Sequence, residues 1–500
     1  MRTLLKGFIA NGLSEPFRGA VLVENDTIIA VEKDICGTSA ADRILQWKDE
    51  IIAPGFIDVH GHSDLSVLAD PAGASKRHQG VTCEITGNCG LSAFPLTANN
   101  FDHLQKLYEN YGVLLSWNDC RTYLETLEQK PVNLRIFPLC GHNTLRSAAA
   151  GYEQKELKYS ELEQMKKMLV CALESGAVGM STGLLYTPGC FAGHREIVEL
   201  MQILAKYDAV YTTHLRSEGD KLLESLIDTI NAAKEAHLTK IQISHLKTAG
   251  AANWHKLDAA LDIIRDARAG GLDIRFDRYP YTESQTMLSV ILPAPFDTMP
   301  DRDITQALLD EKAVAAVRES LSMRDDSDWQ RWRITGTTHP KWKNFIGRKY
   351  SSITEDKVTA VIDQLRFDAT TATIGAAGLS EENMLKIITD DLCMAGSDGN
   401  ALPLSTCFGT AHPRAFGAIA EFIRLKLAHG QSIGKCIKAV SSTPAEFFRL
   451  PDIGFIQCGK KADITVFSPD DIGCKADFVT PHCFADGIKM TMLNGNAEFY

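Results

Sequence analysis

Five hundred residues, 45% apolar and 23% charged, are ample for a large globular catalytic domain with appendages and too many for one minimal domain. A formal charge of −11 and a pI near 5.7 argue against an extended nucleic-acid-binding surface, and no window approaches the roughly 18–20 apolar residues of a membrane span. The N-terminus loses its apolar character too early for a signal peptide, and thirteen scattered cysteines without a CxxC pair read as reduced thiols, so the expected location is the cytoplasm.

In chain order, Leu4–Ala10 and Gly19–Val31 read as short strands joined by turns. The run Ile51–Val59 then opens a series of eight strand-like segments. The others are Val81–Thr86, Leu134–Leu139, Ala177–Ser181, Ala209–Thr213, Lys240–Ser244, Leu272–Asp277 and Leu392–Gly396. Helix-like stretches such as Tyr159–Glu174 and Asp220–His237 separate most of them. Strands alternating with amphipathic helices predict a parallel sheet, and eight units predict an α/β fold of the closed (β/α)8 barrel type, with its chemistry at the carboxyl ends of the strands. Between the seventh and eighth runs, at about 286–376, Pro293, Pro295 and Pro300 and the Trp-bearing, charged Arg324–Lys349 stretch predict an inserted subdomain or lid. The tail carries Gly454–Ile456, Ala462–Phe467 and Ile488–Leu493 as further strands. The expected division is therefore a small β-sandwich domain from residues 1–54 plus 452–500, flanking a catalytic barrel at 55–451.

Residue types suited to metal chemistry follow five of the eight runs. His60 and His62, at i and i+2 of an extended segment, point to one side and can converge on one ion. Cys89 sits in the glycine-flanked loop Gly87–Gly90, where a thiolate binds zinc well or lies between two ions; an isolated cysteine is more often an inert buried thiol. His214 follows the fifth run, His245 the sixth and Asp398 the eighth. A single histidine at such a position is more often hydrogen-bonded than ligating, and a single aspartate can simply cap a helix. All of them at the active end of one barrel point to a metal site.

The chain resembles the amidohydrolase superfamily, and within it the N-acyl-D-amino-acid deacylases (D-aminoacylases). The resemblance rests on Pro54–His62, Gln79–Thr82, Gly87–Gly90, Gly141–Arg146, Gly179–Gly189, His214–Glu218, Ile243–Lys247, Tyr279–Thr282, Gly396–Gly399, His412–Arg414 and Gly459–Phe467. It implies that Cys89, His214 and His245 hold a tight zinc, that His60 and His62 form a weaker second site which Cys89 can bridge, and that Asp398 is the general base and acid. On this view metal-activated water attacks the amide carbonyl of an N-acyl-D-amino acid, Asp398 takes the proton, and the amine receives it on leaving. Tyr186 is a candidate donor to the oxyanion, or alternatively a packed loop tyrosine. Lys247, Arg414, Tyr279 and Tyr281 are candidates for the substrate α-carboxylate, or alternatively structural pairs. Members of the family often carry a small residue after Tyr-Pro-Tyr-Thr, or an arginine nearby where acidic side chains are preferred; here Glu283 stands there. If it faces the pocket it disfavours acidic substrates, and if it faces solvent it does nothing of the kind. The expected partner is a small molecule, neither nucleic acid nor membrane, and oligomeric state is not readable. The alternatives are a cyclic-amide or small-peptide hydrolase on the same barrel, or an inactive barrel serving as a scaffold.

Overall fold

The computed structural model describes residues 1–33, 41–353, 356–405 and 412–500. Eight parallel strands form its central sheet: β1 (Phe56–Asp58), β2 (Val81–Thr86), β3 (Arg135–Gly141), β4 (Gly179–Gly183), β5 (Val210–His214), β6 (Lys240–Ile243), β7 (Asp273–Arg278) and β8 (Cys393–Ala395). They pair in sequence order. β8 returns to β1 through Val59 N donating to Ala395 O (3.1 Å) and a parallel bridge between Gly61 and Gly399. The result is a near-closed (β/α)8 barrel, as the alternation predicts. Ile57, Val59, Ile85, Leu139 and Met394 fill its interior, and Phe447 and Phe448 plug the end away from the site.

The first barrel strand is shorter than the run Ile51–Val59 implies. Ile51–Pro54 instead ends the long strand Arg43–Pro54 of a second sheet, and only Phe56–Asp58 enters the barrel. The break falls at Pro54–Gly55. A Cβ on Gly55 would stand 2.1 Å from Thr82 Oγ1, so glycine alone lets the chain pass from one sheet into the other. The second sheet has seven strands drawn from both ends of the chain. Arg43–Pro54 pairs parallel with Arg2–Ile9 and antiparallel with Ile464–Phe467. Of the tail strands expected, Gly454–Ile456 is not one: its backbone bends there, with Gly454 at φ 84°. Asn496–Phe499 is an additional edge strand.

The helix Tyr159–Glu174 has the predicted bounds, and the predicted Asp220–His237 helix spans Leu222–Glu235. Between β7 and β8 a three-stranded antiparallel sheet (Glu283–Met287, Thr373–Ala377, Trp332–Gly336) carries its own apolar core, including Leu288, Trp329, Trp342 and Tyr350. This insertion stands at the barrel mouth and supplies one wall of the main cavity. Among the described residues no helix is long and apolar enough to cross a membrane.

Candidate metal centre and substrate cavity

Five strand ends deliver the donor set to one place. Cys89 Sγ lies 3.3 Å from His60 Nε2, 3.4 Å from His245 Nε2 and 3.8 Å from His214 Nδ1. His62 Nε2 and His60 Nε2 are 3.0 and 3.5 Å from Asp398 Oδ1. These donors form two overlapping groups, His60–His62–Cys89–Asp398 and Cys89–His214–His245, each with ligand atoms within 4.8 Å of one another. Zinc–sulfur and zinc–nitrogen bonds of about 2.3 and 2.0 Å in a tetrahedron place S and N about 3.5 Å apart, so the spacings fit a shared ion. The electrostatics fit too. Burial opposes charge on the imidazoles, yet the Asp398 and Cys89 hydrogen bonds push His62 up to about 9, and Glu218, Cys89 and Asp398 do the same for His245 despite Lys247. Burial likewise opposes ionisation of the Cys89 thiol, but His60, His245 and His214 pull it well below the usual thiol range. A pocket that concentrates protons on its imidazoles is one that favours a cation.

Cys89, His245 and Asp398 all adopt left-handed backbone, at φ 52°, 35° and 53°. Non-glycine residues rarely do so, and three of them aiming side chains at one point mark a site whose surroundings hold them there. Asp398 N donates to His60 O at 2.7 Å, fixing that loop against the end of β1.

Carboxylates that sequence reasoning did not single out orient these donors. Asp277, at the end of β7 and fully buried, contacts His60 Nδ1 (3.2 Å) and accepts from Gln242 Nε2 (2.6 Å) and His245 N (2.9 Å). Glu218 lies 2.9 Å from His245 Nδ1 and 3.6 Å from His214 Nε2, and is paired with Lys247. Both were visible as polar endings of the seventh run and of the His214–Glu218 motif, but nothing local says which imidazole each would reach. Beneath them, buried Lys76 Nζ ties Asp58 (2.6 Å), Ser397 Oγ (2.8 Å) and Gly399 O (3.0 Å) together, joining the β1 end to the Asp398 loop. Gly61 passes against this cluster, where a Cβ would stand 1.7 Å from Glu84 Oε1.

A cavity of about 480 Å³ opens from the donor set toward the insertion. It is lined by Tyr186, Lys247, Tyr279, Asp398 and Arg414, among others. Tyr186 lines the cavity, where its hydroxyl meets Thr286 Oγ1 at 3.1 Å and its ring packs edge-on to His214. Arg414 Nη1 donates to Asp398 Oδ2 (2.6 Å), and its guanidinium lies over the Tyr279 ring at 5.1 Å. The Tyr279 hydroxyl is buried without a hydrogen-bond partner in the protein. Burial raises its pKa, but Lys247, Arg278 and Arg414 bring it below the ordinary phenol value. Such an orphaned donor beside two cations can serve an anionic ligand.

Two expected substrate residues are elsewhere. Tyr281 does not line the cavity: the chain turns at Pro280, with Tyr281 N bonded to Tyr279 O at 3.0 Å, so the two tyrosines diverge rather than share a face. Its hydroxyl is buried near Gly417 and Cys474. Glu283 also lies outside the cavity lining, with both carboxylate oxygens 3.1 Å from the Arg333 guanidinium on the outer strand of the insertion sheet. Its charge is matched there and does not face the substrate space.

Residues 353–497 match the model of the amidohydrolase family. Over 497 residues, covering 99% of this chain and 92% of that protein, the chain is 31% identical to the N-acyl-D-glutamate deacylase of Alcaligenes xylosoxydans xylosoxydans. The crystal structure of the N-acyl-D-glutamate deacylase from Bordetella bronchiseptica, complexed with zinc and a phosphonate mimic of the tetrahedral intermediate, superposes with a TM-score of 0.83 at 27% identity, over 99% of this chain and 96% of that one. A D-aminoacylase structure, described as having a binuclear metal centre with one-metal activation and second-metal attenuation, gives a TM-score of 0.80 at 27% identity with the same coverage.

Proposed function

This chain belongs to the N-acyl-D-amino-acid deacylases of the amidohydrolase superfamily, and from that premise we propose that it hydrolyses the amide bond of an N-acyl-D-amino acid, releasing a carboxylate and the free D-amino acid. The observation that carries the reading is the Cys89 sulfur set among three imidazoles with Asp398 alongside. Cys89, His214 and His245 would hold a tight zinc, and His60, His62 and Asp398, with Cys89 between, a second and weaker one. When bound, zinc polarises the amide carbonyl and acidifies a water.

The rest falls to side chains of this protein. Asp398, held by His62 and Arg414, accepts the proton of the attacking water and hands it to the departing nitrogen, since an amine leaves readily only when protonated. Tyr186 donates to the oxyanion that develops. Arg414, Tyr279 and Lys247 receive the α-carboxylate; for Arg414 this means sharing a guanidinium that also faces Asp398. Glu218 and Asp277 hold His245 and His60 in orientation. The barrel at 55–451 carries this chemistry, the sheet from both chain ends buttresses it, and the insertion shapes the substrate space. The substrate is a small molecule. Eleven described cysteines are all unpaired, which supports a reducing, cytoplasmic setting.

The test is amine release from matched N-acetyl-D- and N-acetyl-L-amino acids, with and without zinc, alongside metal analysis of the enzyme and of Cys89→Ser. The expected result is zinc-dependent release from D substrates. The expected effect of Cys89→Ser is loss of the tight zinc and a rate reduction of about 10²-fold or more, with the fold retained. Activity confined to L substrates would overturn the reading.

A further inference from the structure

Taking the deacylase reading as its starting point, we infer that the amino-acid side chain accepted by this enzyme is uncharged and apolar, and that N-acyl derivatives of D-glutamate and D-aspartate are poor substrates. The residues of the cavity point this way even though an N-acyl-D-glutamate deacylase is among the chain's relatives. Recognition of a buried side-chain carboxylate requires a cation or a dense set of donors, because moving an unpaired carboxylate out of water is strongly unfavourable.

Among the described residues, the cavity lining contains two such cations, Lys247 and Arg414. Each already faces an acid, Glu218 and Asp398 respectively, and both belong to the end that receives the α-carboxylate. The rest of the lining holds no lysine or arginine. Nor can residues 34–40, 354–355 or 406–411 contribute one, since no lysine or arginine occurs in them. His103, which also lines the cavity, is kept neutral by burial and by Arg302, its pKa pushed down to about 4.

Away from the metal end the lining is apolar, neutral polar or acidic, its neutral polar part including Ser284, Gln285, Ser289 and Thr373, with no cation among them. Leu107, Leu185, Met287, Val290 and Met299 form the wall, drawn from the barrel loops and the insertion. Asp297 and Asp301 are the charged groups beyond them, with Asp301 accepting from Ser289 Oγ at 2.9 Å. A second carboxylate on the substrate would meet hydrocarbon, neutral hydroxyl and amide groups and like charge, with no free cation to pair with. An aliphatic or thioether side chain would instead exchange water for the apolar part of that wall, which is favourable in proportion to the area buried. Glu283 takes no part, because Arg333 neutralises it outside the cavity.

The test compares kcat/KM of the zinc-loaded enzyme for the N-acetyl derivatives of D-leucine, D-methionine, D-glutamate, D-aspartate and D-lysine. Calorimetric titration of the same compounds into the zinc-loaded enzyme reads affinity independently of turnover. The expected result is a preference of at least about 100-fold for leucine or methionine over either acid, with the same order in affinity. Met287→Arg, which places a cation on the wall, is expected to shift the glutamate-to-leucine ratio by at least about 10-fold toward glutamate. Glutamate or aspartate within 10-fold of leucine in both measurements overturns the inference while leaving the deacylase reading intact, and a preference for lysine overturns it by making the two aspartates the selecting feature. Absence of turnover with every compound counts against the deacylase reading, and the affinities then decide the inference by the same order.

Discussion

At the scale of single residues, Asp398 and the metal-type donors were legible because each follows directly from a strand-like run, and in a parallel barrel every such ending meets the others. Their orienting partners were not. His60 and Asp277 touch across 217 positions of sequence, and no local pattern selects that pairing. Tyr279 and Tyr281 show the limit of the two-residue alternation rule, which fails once Pro280 turns the chain. A titratable residue beyond the metal centre allows a pH prediction. Burial pushes the Asp301 carboxyl up to about 6 from a usual value near 4, against the pull of Ser289. A carboxyl raised on folding favours the folded state while protonated, and that contribution is lost as pH rises through about 6. Asp301→Asn should therefore stabilise the protein at pH 7.5, by up to about 3 kcal/mol, and leave stability nearly unchanged below pH 4. Denaturant titrations at the two pH values check this; equal effects at both would show that the carboxyl is not raised.

At the scale of elements, the barrel strands follow from apolar runs with helical periodicity between them, and seven of the eight keep close to their predicted places. The first does not, because Pro54–Gly55 lets one apolar run serve two sheets, and hydrophobicity carries no record of which sheet a residue joins. The insertion was readable as an interruption, but not as a sheet with a separate core, since its strands Glu283–Met287 and Thr373–Ala377 pair across some ninety residues. Glu283 belongs to this scale rather than to the catalytic one. Removing its partner in Arg333→Met leaves a mostly buried carboxylate unpaired in the insertion sheet, so the variant should lose on the order of 1–3 kcal/mol of stability. The conservative Glu283→Gln should lower thermal stability while leaving the ratio of kcat/KM between acidic and apolar substrates within about 2-fold of wild type. A large change in that ratio would place Glu283 in the substrate space after all.

For the whole molecule, the donor set joins the ends of β1, β2, β5 and β6 to the loop after β8, five points around one barrel rim. An ion held there binds the folded chain and not the unfolded one, so it should stabilise the barrel by mass action, by about 4 kcal/mol at a free concentration a thousand times its Kd. Chelation followed by dialysis should lower the midpoint of thermal unfolding, and readdition of zinc should restore it in a concentration-dependent manner. An unchanged midpoint after metal analysis has shown removal would mean that the ligands are preorganised by protein contacts alone, such as Asp277 and Lys76.

The amino-acid sequence by itself determined the barrel, the order of its strands and which metal-suited side chains stand at the strand ends, because strand and helix periodicity and the residues at strand ends are local properties of the chain. The tertiary structure alone decided which charges are matched, with Glu218 on Lys247, Asp398 on Arg414 and Glu283 on Arg333, and so what remains for a substrate to meet. The reason is electrostatic: a charge acts over a few ångströms of space, and in this fold those neighbours come from segments that sequence order keeps apart.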